Sequence, residues 1–140
     1  MTENTIVVRG LRRSYGSGHR AFDAVRGIDL SIAPGTIHAL LGVNGAGKTS
    51  TLEVIEGLAR PDAGEVRVLG MDPIRDRAAV RRSTGVLLQR SGFVADLSVT
   101  ETLQMWGATV TDARPLEESL AMLDLEDRAE TKMRALSGGE

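Results

Sequence analysis

Residues Gly42-Val43-Asn44-Gly45-Ala46-Gly47-Lys48-Thr49 spell a complete G-x-x-x-x-G-K-[ST] pattern, and the chain on either side must fold so as to present that loop. The run before it, Thr36-Ile37-His38-Ala39-Leu40-Leu41, reads as a buried strand. The run after it, Ser50-Thr51-Leu52-Glu53-Val54-Ile55-Glu56, reads as a helix. Glycines let the backbone turn several N–H groups towards one anion, and the helix N-terminus adds its own free N–H groups and the positive end of its dipole. Lys48 has the reach and charge to contact terminal phosphates, and the Thr49 hydroxyl can ligate the Mg²⁺ that travels with them. The pattern in its strand-loop-helix context implies a nucleoside triphosphate site.

The bulk properties set the limits of that site. A chain of 140 residues is about one domain long, with 41% hydrophobic and 26% charged residues, as in soluble globular proteins. A net charge of −2 leaves no electrostatic footprint for nucleic acid. Of 17 basic residues only Lys48 and Lys132 are lysines, which makes a lysine inside a glycine loop more informative here. The absence of cysteine excludes disulfides and thiolate metal sites. Met1-Thr2-Glu3-Asn4 lacks the basic and apolar regions of a signal peptide, and no apolar run approaches the roughly 20 residues of a membrane helix. The expected location is the cytoplasm unless a partner carries the chain to a membrane.

In order, Ile6-Val7-Val8 reads as a short strand and Arg9 to Gly18 as a loop holding Tyr15. Ile28 to Ile32 alternates as a half-buried strand, and Ala33-Pro34-Gly35-Thr36 has the residues of a type II turn. Glu65 to Leu69 is another alternating strand. Asp72-Pro73 marks a helix start whose arginines, Arg75 to Arg82, form a solvated face. Thr84 to Leu88 is a continuous apolar strand. From Gln89 the character becomes helical: Ser98-Val99-Thr100-Glu101 is a capping box, Pro115 opens a helix with Leu116, Leu120 and Leu123 on one face, and a short helical stretch spans Leu125 to Met133. Trp106 and Met105 read as packing within this layer, His38 as a packed strand residue and His19 as unassigned. Arg90 has no assignment.

Taken together, Tyr15, the Gly42–Thr49 loop, Gln89 and the closing Leu136-Ser137-Gly138-Gly139-Glu140 resemble, in order, the motifs of the ATP-binding subunit of ABC (ATP-binding cassette) transporters, more narrowly the bacterial drug- and polyketide-export branch. The resemblance covers the whole chain, and the closing motif, with Glu where the family usually has Gln, is its most specific part. It implies an α/β fold: a P-loop core sheet, an N-terminal antiparallel β-subdomain (together residues 1–89), and a partial helical subdomain (residues 90–140). It also implies roles. Gly42, Asn44, Gly45, Ala46, Gly47, Lys48, Thr49 and Ser50 hold the phosphates, Tyr15 stacks on adenine, and Thr49 and Gln89 serve Mg²⁺. Lys48 and Gln89 are the catalytic candidates, while Ser137, Gly138 and Gly139 cap the nucleotide of a second domain facing head to tail.

The implied ligands are ATP and Mg²⁺, and the implied partners are a membrane permease and a second nucleotide-binding domain, with no nucleic acid. The chain would sit in the cytoplasm, peripheral to the inner membrane face through the permease. The family's Walker B strand, catalytic Glu and switch His follow the signature motif, so these residues correspond to the N-terminal part of the domain. Alone they are expected to bind ATP without hydrolysing it. A nucleotide-binding regulatory module is the alternative. A cassette acting on DNA or ribosomes is disfavoured by the near-neutral charge.

Overall fold

The computed structural model describes residues 4–87 and 92–137. The chain divides into two units, Met1–Val86 and Leu87–Glu140.

In the first unit, strands β1 (Ile6–Tyr15), β2 (Phe22–Ile32) and β3 (Ala63–Val68) form an antiparallel sheet in the order β2-β1-β3. β1 is far longer than the short strand expected, because it continues through Arg9-Gly10-Leu11 by way of a bulge. The register with both neighbours shifts after Val8 and Arg9, and the Gly10 N–H leaves the ladder to donate to Asp29 Oδ1 at 2.8 Å. The extra residue puts Val8 and Leu11, three apart, on the same buried face, which a period of two would forbid. That broken period made the segment look like a loop. Tyr15 therefore ends a strand, facing Phe22 across the hairpin.

Helix α1 (Lys48–Ile55) lays Val54 and Ile55 on the sheet, where they join Val8, Leu11, Val25, Val66 and Val68. Val80 of α2 (Arg77–Arg82) completes this core. Asp72 does not start α2. Its Oδ1 instead accepts from the Ile74 and Arg75 N–H groups, at 2.8 and 3.1 Å, to organise a turn before the helix. Those two bonds, with the neighbouring Arg75 and Arg67 charges, hold the Asp72 carboxyl below the ordinary aspartate range.

The two apolar runs read as core strands do not form strands. Thr36 to Leu41 is irregular, with Ile37 fully exposed and Leu41 86% exposed; Thr84 to Leu87 is irregular too, with Leu87 91% exposed. A strand of a parallel core sheet is held by ladders on both sides and by cover on both faces. Among the described residues nothing pairs with either run, and apolar character alone does not order a backbone. The α/β class stands, carried by the antiparallel sheet and the helices around it.

In the second unit, α3 (Val99–Gly107) and α4 (Leu116–Met122) enclose a small core of Val99, Leu120 and Leu125. The capping box is formed in both directions: the Glu101 N–H donates to Ser98 Oγ at 3.1 Å, and the Ser98 N–H donates to Glu101 Oε2 at 2.7 Å. Two short 3₁₀ turns, Glu126–Arg128 and Met133–Ala135, replace the single helical stretch expected there. Trp106 and Met105 pack less than expected. Both keep about half of their surface exposed, and Trp106 borders two cavities of about 450 and 260 Å³. Leu123 is likewise exposed while Leu120 carries the packing of α4.

Candidate functional site

The loop ahead of α1 takes the shape its glycines permit. Gly45 and Gly47 have φ of 83° and 84°, in the left-handed region that favours glycine, and Gly47 is the residue that caps α1. A Cβ at Gly47 would lie 2.2 Å from the Ala24 carbonyl oxygen, so the loop passes hard against β2. Thr51 ties the other side: both its N–H and its hydroxyl donate to the Gly47 carbonyl, each at 2.9 Å. The loop is thus pinned between strand and helix, with α1 N–H groups at its rim free of any i−4 partner.

Lys48 folds back over the loop it belongs to. Its Nζ donates to the Gly42 and Val43 carbonyls at 2.7 and 2.8 Å. An ammonium has three donors, so one remains for an anion in the loop. The Thr49 hydroxyl, on an exposed residue of the first turn, has no hydrogen-bond partner among the described residues. An unpartnered hydroxyl beside a cationic Lys and a helix N-terminus can meet an anion and one oxygen-seeking cation that travels with it. Beside the loop lies a cavity of about 530 Å³ lined by Asp23, Arg26, Leu40, Gly45, Lys48 and Thr51 among others. A second cavity of about 540 Å³, walled by Arg60, Glu65, Arg67, Asp72 and Arg75, shares no residue with it. Arg67 there is held charged above the ordinary arginine range by the hydrogen bond and charge of Glu65.

Tyr15 stands against α1, the helix that the loop opens into, with contacts the sequence did not show. Its hydroxyl lies 3.0 Å from Glu53 Oε2 and 3.2 Å from Ser50 Oγ, both on α1. The Arg13 guanidinium carbon is 4.8 Å from the ring centroid. Phe22 stacks on the same ring, with centroids 5.7 Å apart and planes inclined by 25°. Ser50, assigned to a phosphate, has its hydroxyl engaged with Tyr15. Arg13, Phe22 and Glu53 escaped the sequence reading. The signal that could have found Phe22 was the hairpin, since pairing β1 with β2 puts Phe22 opposite Tyr15.

The structure brings Tyr15, Gly42 to Thr49 and Ser50 together on one side of the first unit. Gln89, Gly138 and Gly139 lie outside the described residues. Ser137 is exposed in irregular backbone shortly after the Met133–Ala135 turn. Among the described residues, no group of three or more His, Asp or Glu side chains is gathered as a metal site, and no helix is long and apolar enough to cross a membrane.

Against this geometry the comparisons are decisive. The ABC transporter family model matches residues 25–140. The chain belongs to the ABC transporter family. It is 38% identical to a daunorubicin resistance ATP-binding protein of Streptomyces coeruleorubidus, over 99% of this chain and 44% of that protein. To a Nod factor export ATP-binding protein of Paraburkholderia xenovorans it is 37% identical, over 99% of this chain and 46% of the relative. To a methionine import ATP-binding protein of Chromohalobacter salexigens it is 33% identical, over 96% and 42%. The chain thus spans less than half the length of these three relatives. Among solved structures, a dimeric ATP-binding cassette in a post-hydrolysis state, bound to ADP and Pi, superposes with a TM-score of 0.73 at 22% identity, over 95% of this chain and 63% of that one. A subunit of an ABC transporter complex from Clostridium perfringens gives 0.78 at 21%, over 96% and 56%. At such identities the structures speak for the fold, which is that of an ABC cassette.

Proposed function

We propose that this chain binds Mg²⁺-ATP in the Gly42–Thr49 loop, as the ATP-binding part of an ABC-type export system working with a membrane permease. The observation that carries the reading is the loop itself: left-handed Gly45 and Gly47 open directly into α1, with Lys48 Nζ resting on the loop carbonyls. In this reading the phosphate chain replaces those carbonyls as the partner of Lys48. The loop and α1 N–H groups take the phosphate oxygens. Thr49 takes the metal with Gln89, Ser50 exchanges Tyr15 for a phosphate oxygen, and the base lies towards the aromatic corner at Tyr15. Export rather than import follows the drug-resistance and Nod-factor relatives. The chain reaches the inner membrane face through the permease, and Ser137, Gly138 and Gly139 serve a second copy of the domain.

These 140 residues by themselves bind without turnover. Glu53, the one acidic residue of α1, has its carboxylate engaged by the Tyr15 hydroxyl, which supports this reading. Isothermal titration of Mg²⁺-ATP is the test. Removing a charge-assisted phosphate contact through Lys48→Ala should weaken binding by about 1.5–3 kcal/mol, roughly ten- to a hundredfold. Equal affinity of wild type and variant refutes the site. Phosphate release above that of the Lys48→Ala variant refutes the absence of turnover.

A further inference from the structure

The end of α1 remote from the phosphate loop borders a second cavity. α1 runs from Lys48 to Ile55, which puts Val54 about 9 Å along the helix from Lys48. There it lines a cleft of about 540 Å³ between the segment that follows α1, strand β3 and the turn at Asp72 to Arg75. Both walls are set by backbone contact. A Cβ at Gly57 would lie 2.3 Å from the Pro73 carbonyl oxygen, and one at Gly64 would lie 2.5 Å from the Arg9 and Gly10 carbonyl oxygens. The chain after α1 is thus pressed on the turn, and β3 on β1, so the cleft is formed before any ligand arrives.

The lining combines apolar surface with charge. Val54 and Val66 are core residues, while Arg60, Arg67 and Arg75 share the cleft with Glu65 and Asp72. Arg67 is already engaged: its Nε and Nη2 lie 2.7 and 2.6 Å from Glu65 Oε1. Arg75 Nε is 3.8 Å from Asp72 Oδ2, beyond hydrogen-bond reach. The Arg60 side chain has no ion pair or hydrogen bond among the described residues. A guanidinium presents five donors in a planar fork that matches an oxyanion. Three guanidiniums against two carboxylates leave one net positive charge, which a singly charged oxyanion balances and a doubly charged one exceeds.

We propose that this cleft binds a small monocarboxylate with an apolar body, its carboxylate on the Arg60 fork and its body against Val54 and Val66. Arg75 supplies a second guanidinium at the same opening. The site is independent of the nucleotide reading, because the cleft shares no lining residue with the cavity beside the phosphate loop.

Octanoate is the probe. Octanoate, octanol, acetate and octyl phosphate are titrated by calorimetry into wild type, Arg60→Gln, Arg60→Lys and Lys48→Ala, with melting curves to establish folding. Arg60 is exposed, so both of its variants should melt as wild type does. Wild type should take one octanoate. Octanol lacks the charge, acetate lacks the apolar body and octyl phosphate carries excess charge, so each should bind at least about tenfold more weakly. Arg60→Gln should weaken octanoate about ten- to a hundredfold, with Arg60→Lys intermediate because it keeps the charge and loses the fork. Lys48→Ala should leave octanoate unchanged, and NMR amide shifts should move at Glu65, Val66, Ile74 and Arg75. The proposal is overturned by absent octanoate binding, by more than one octanoate per chain, or by octanol or octyl phosphate binding as tightly as octanoate. Wild-type affinity in Arg60→Gln, or amide shifts confined to Gly42–Thr49, would overturn it equally.

Discussion

Gly45 and Gly47 offer a controlled comparison, because they share a backbone conformation and differ in their surroundings. Their φ values are 83° and 84°, so alanine at either pays the cost of the left-handed region, about 1–2 kcal/mol. A Cβ at Gly45 meets nothing within 4 Å. At Gly47 it would lie 2.2 Å from the Ala24 carbonyl oxygen and 3.1 Å from Val25 Cγ2, where backbone and a core side chain must both give way. Forced repacking of this kind adds about 1–3 kcal/mol. Gly47→Ala should therefore cost about 2–5 kcal/mol and Gly45→Ala about 1–2, against a total stability of about 5–15 for a domain. Urea unfolding followed by circular dichroism measures the difference. With a slope of about 1–3 kcal/mol per molar, the Gly47→Ala midpoint should fall on the order of 1 M below that of Gly45→Ala. Coincident midpoints would mean that the loop does not press on β2, and the packing argument for Gly47 would fail.

Two further outcomes follow from the hydrogen bonds. Tyr15→Phe keeps the ring but strands Glu53 and Ser50, and should lower stability by about 1 kcal/mol in thermal unfolding; no change would show that the hydroxyl contacts contribute nothing. Glu101 is held below the ordinary glutamate range by the Ser98 N–H and then by Lys132, so its contribution is present above that range and lost as pH falls through it. The melting temperature of wild type should therefore drop on acidification towards pH about 3 by more than that of Glu101→Gln, which keeps a capping acceptor without a titrating charge; parallel pH profiles would contradict the assignment.

How far the fold could be read from the sequence depended on where each segment finds its partners. The capping box at Ser98 and Glu101 is closed by residues three apart, and it formed as read. The α4 helix after Pro115 likewise needs only its own turn and one apolar contact through Leu120. Thr36 to Leu41 and Thr84 to Leu88 carry a strong apolar signal, yet a core strand is stabilised by chains lying beside it. Composition reports the appetite for burial and not whether the neighbour is present. β1 erred in the opposite direction. Arg9 and Gly10 interrupt its alternation, but pairing with both β2 and β3 carries the strand through the interruption as a bulge.

The candidate site divides along the same line. Gly42 to Thr49 is legible because its function is written in backbone conformation: two left-handed glycines and a helix N-terminus are local properties, and the residue types at fixed spacing imply them. Tyr15 was singled out by motif, but its surroundings come from Arg13 on its own strand and from two other segments, Phe22 across the hairpin and Ser50 and Glu53 on α1. The contacts to Phe22, Ser50 and Glu53 have no fixed sequence spacing. A single residue type therefore cannot tell whether a tyrosine offers its face to a ligand or serves as the fixed layer beneath another ring. Here the Tyr15 hydroxyl is engaged by Ser50 and Glu53 of α1 and its ring lies against Phe22, and only the folded chain brings these segments to the tyrosine.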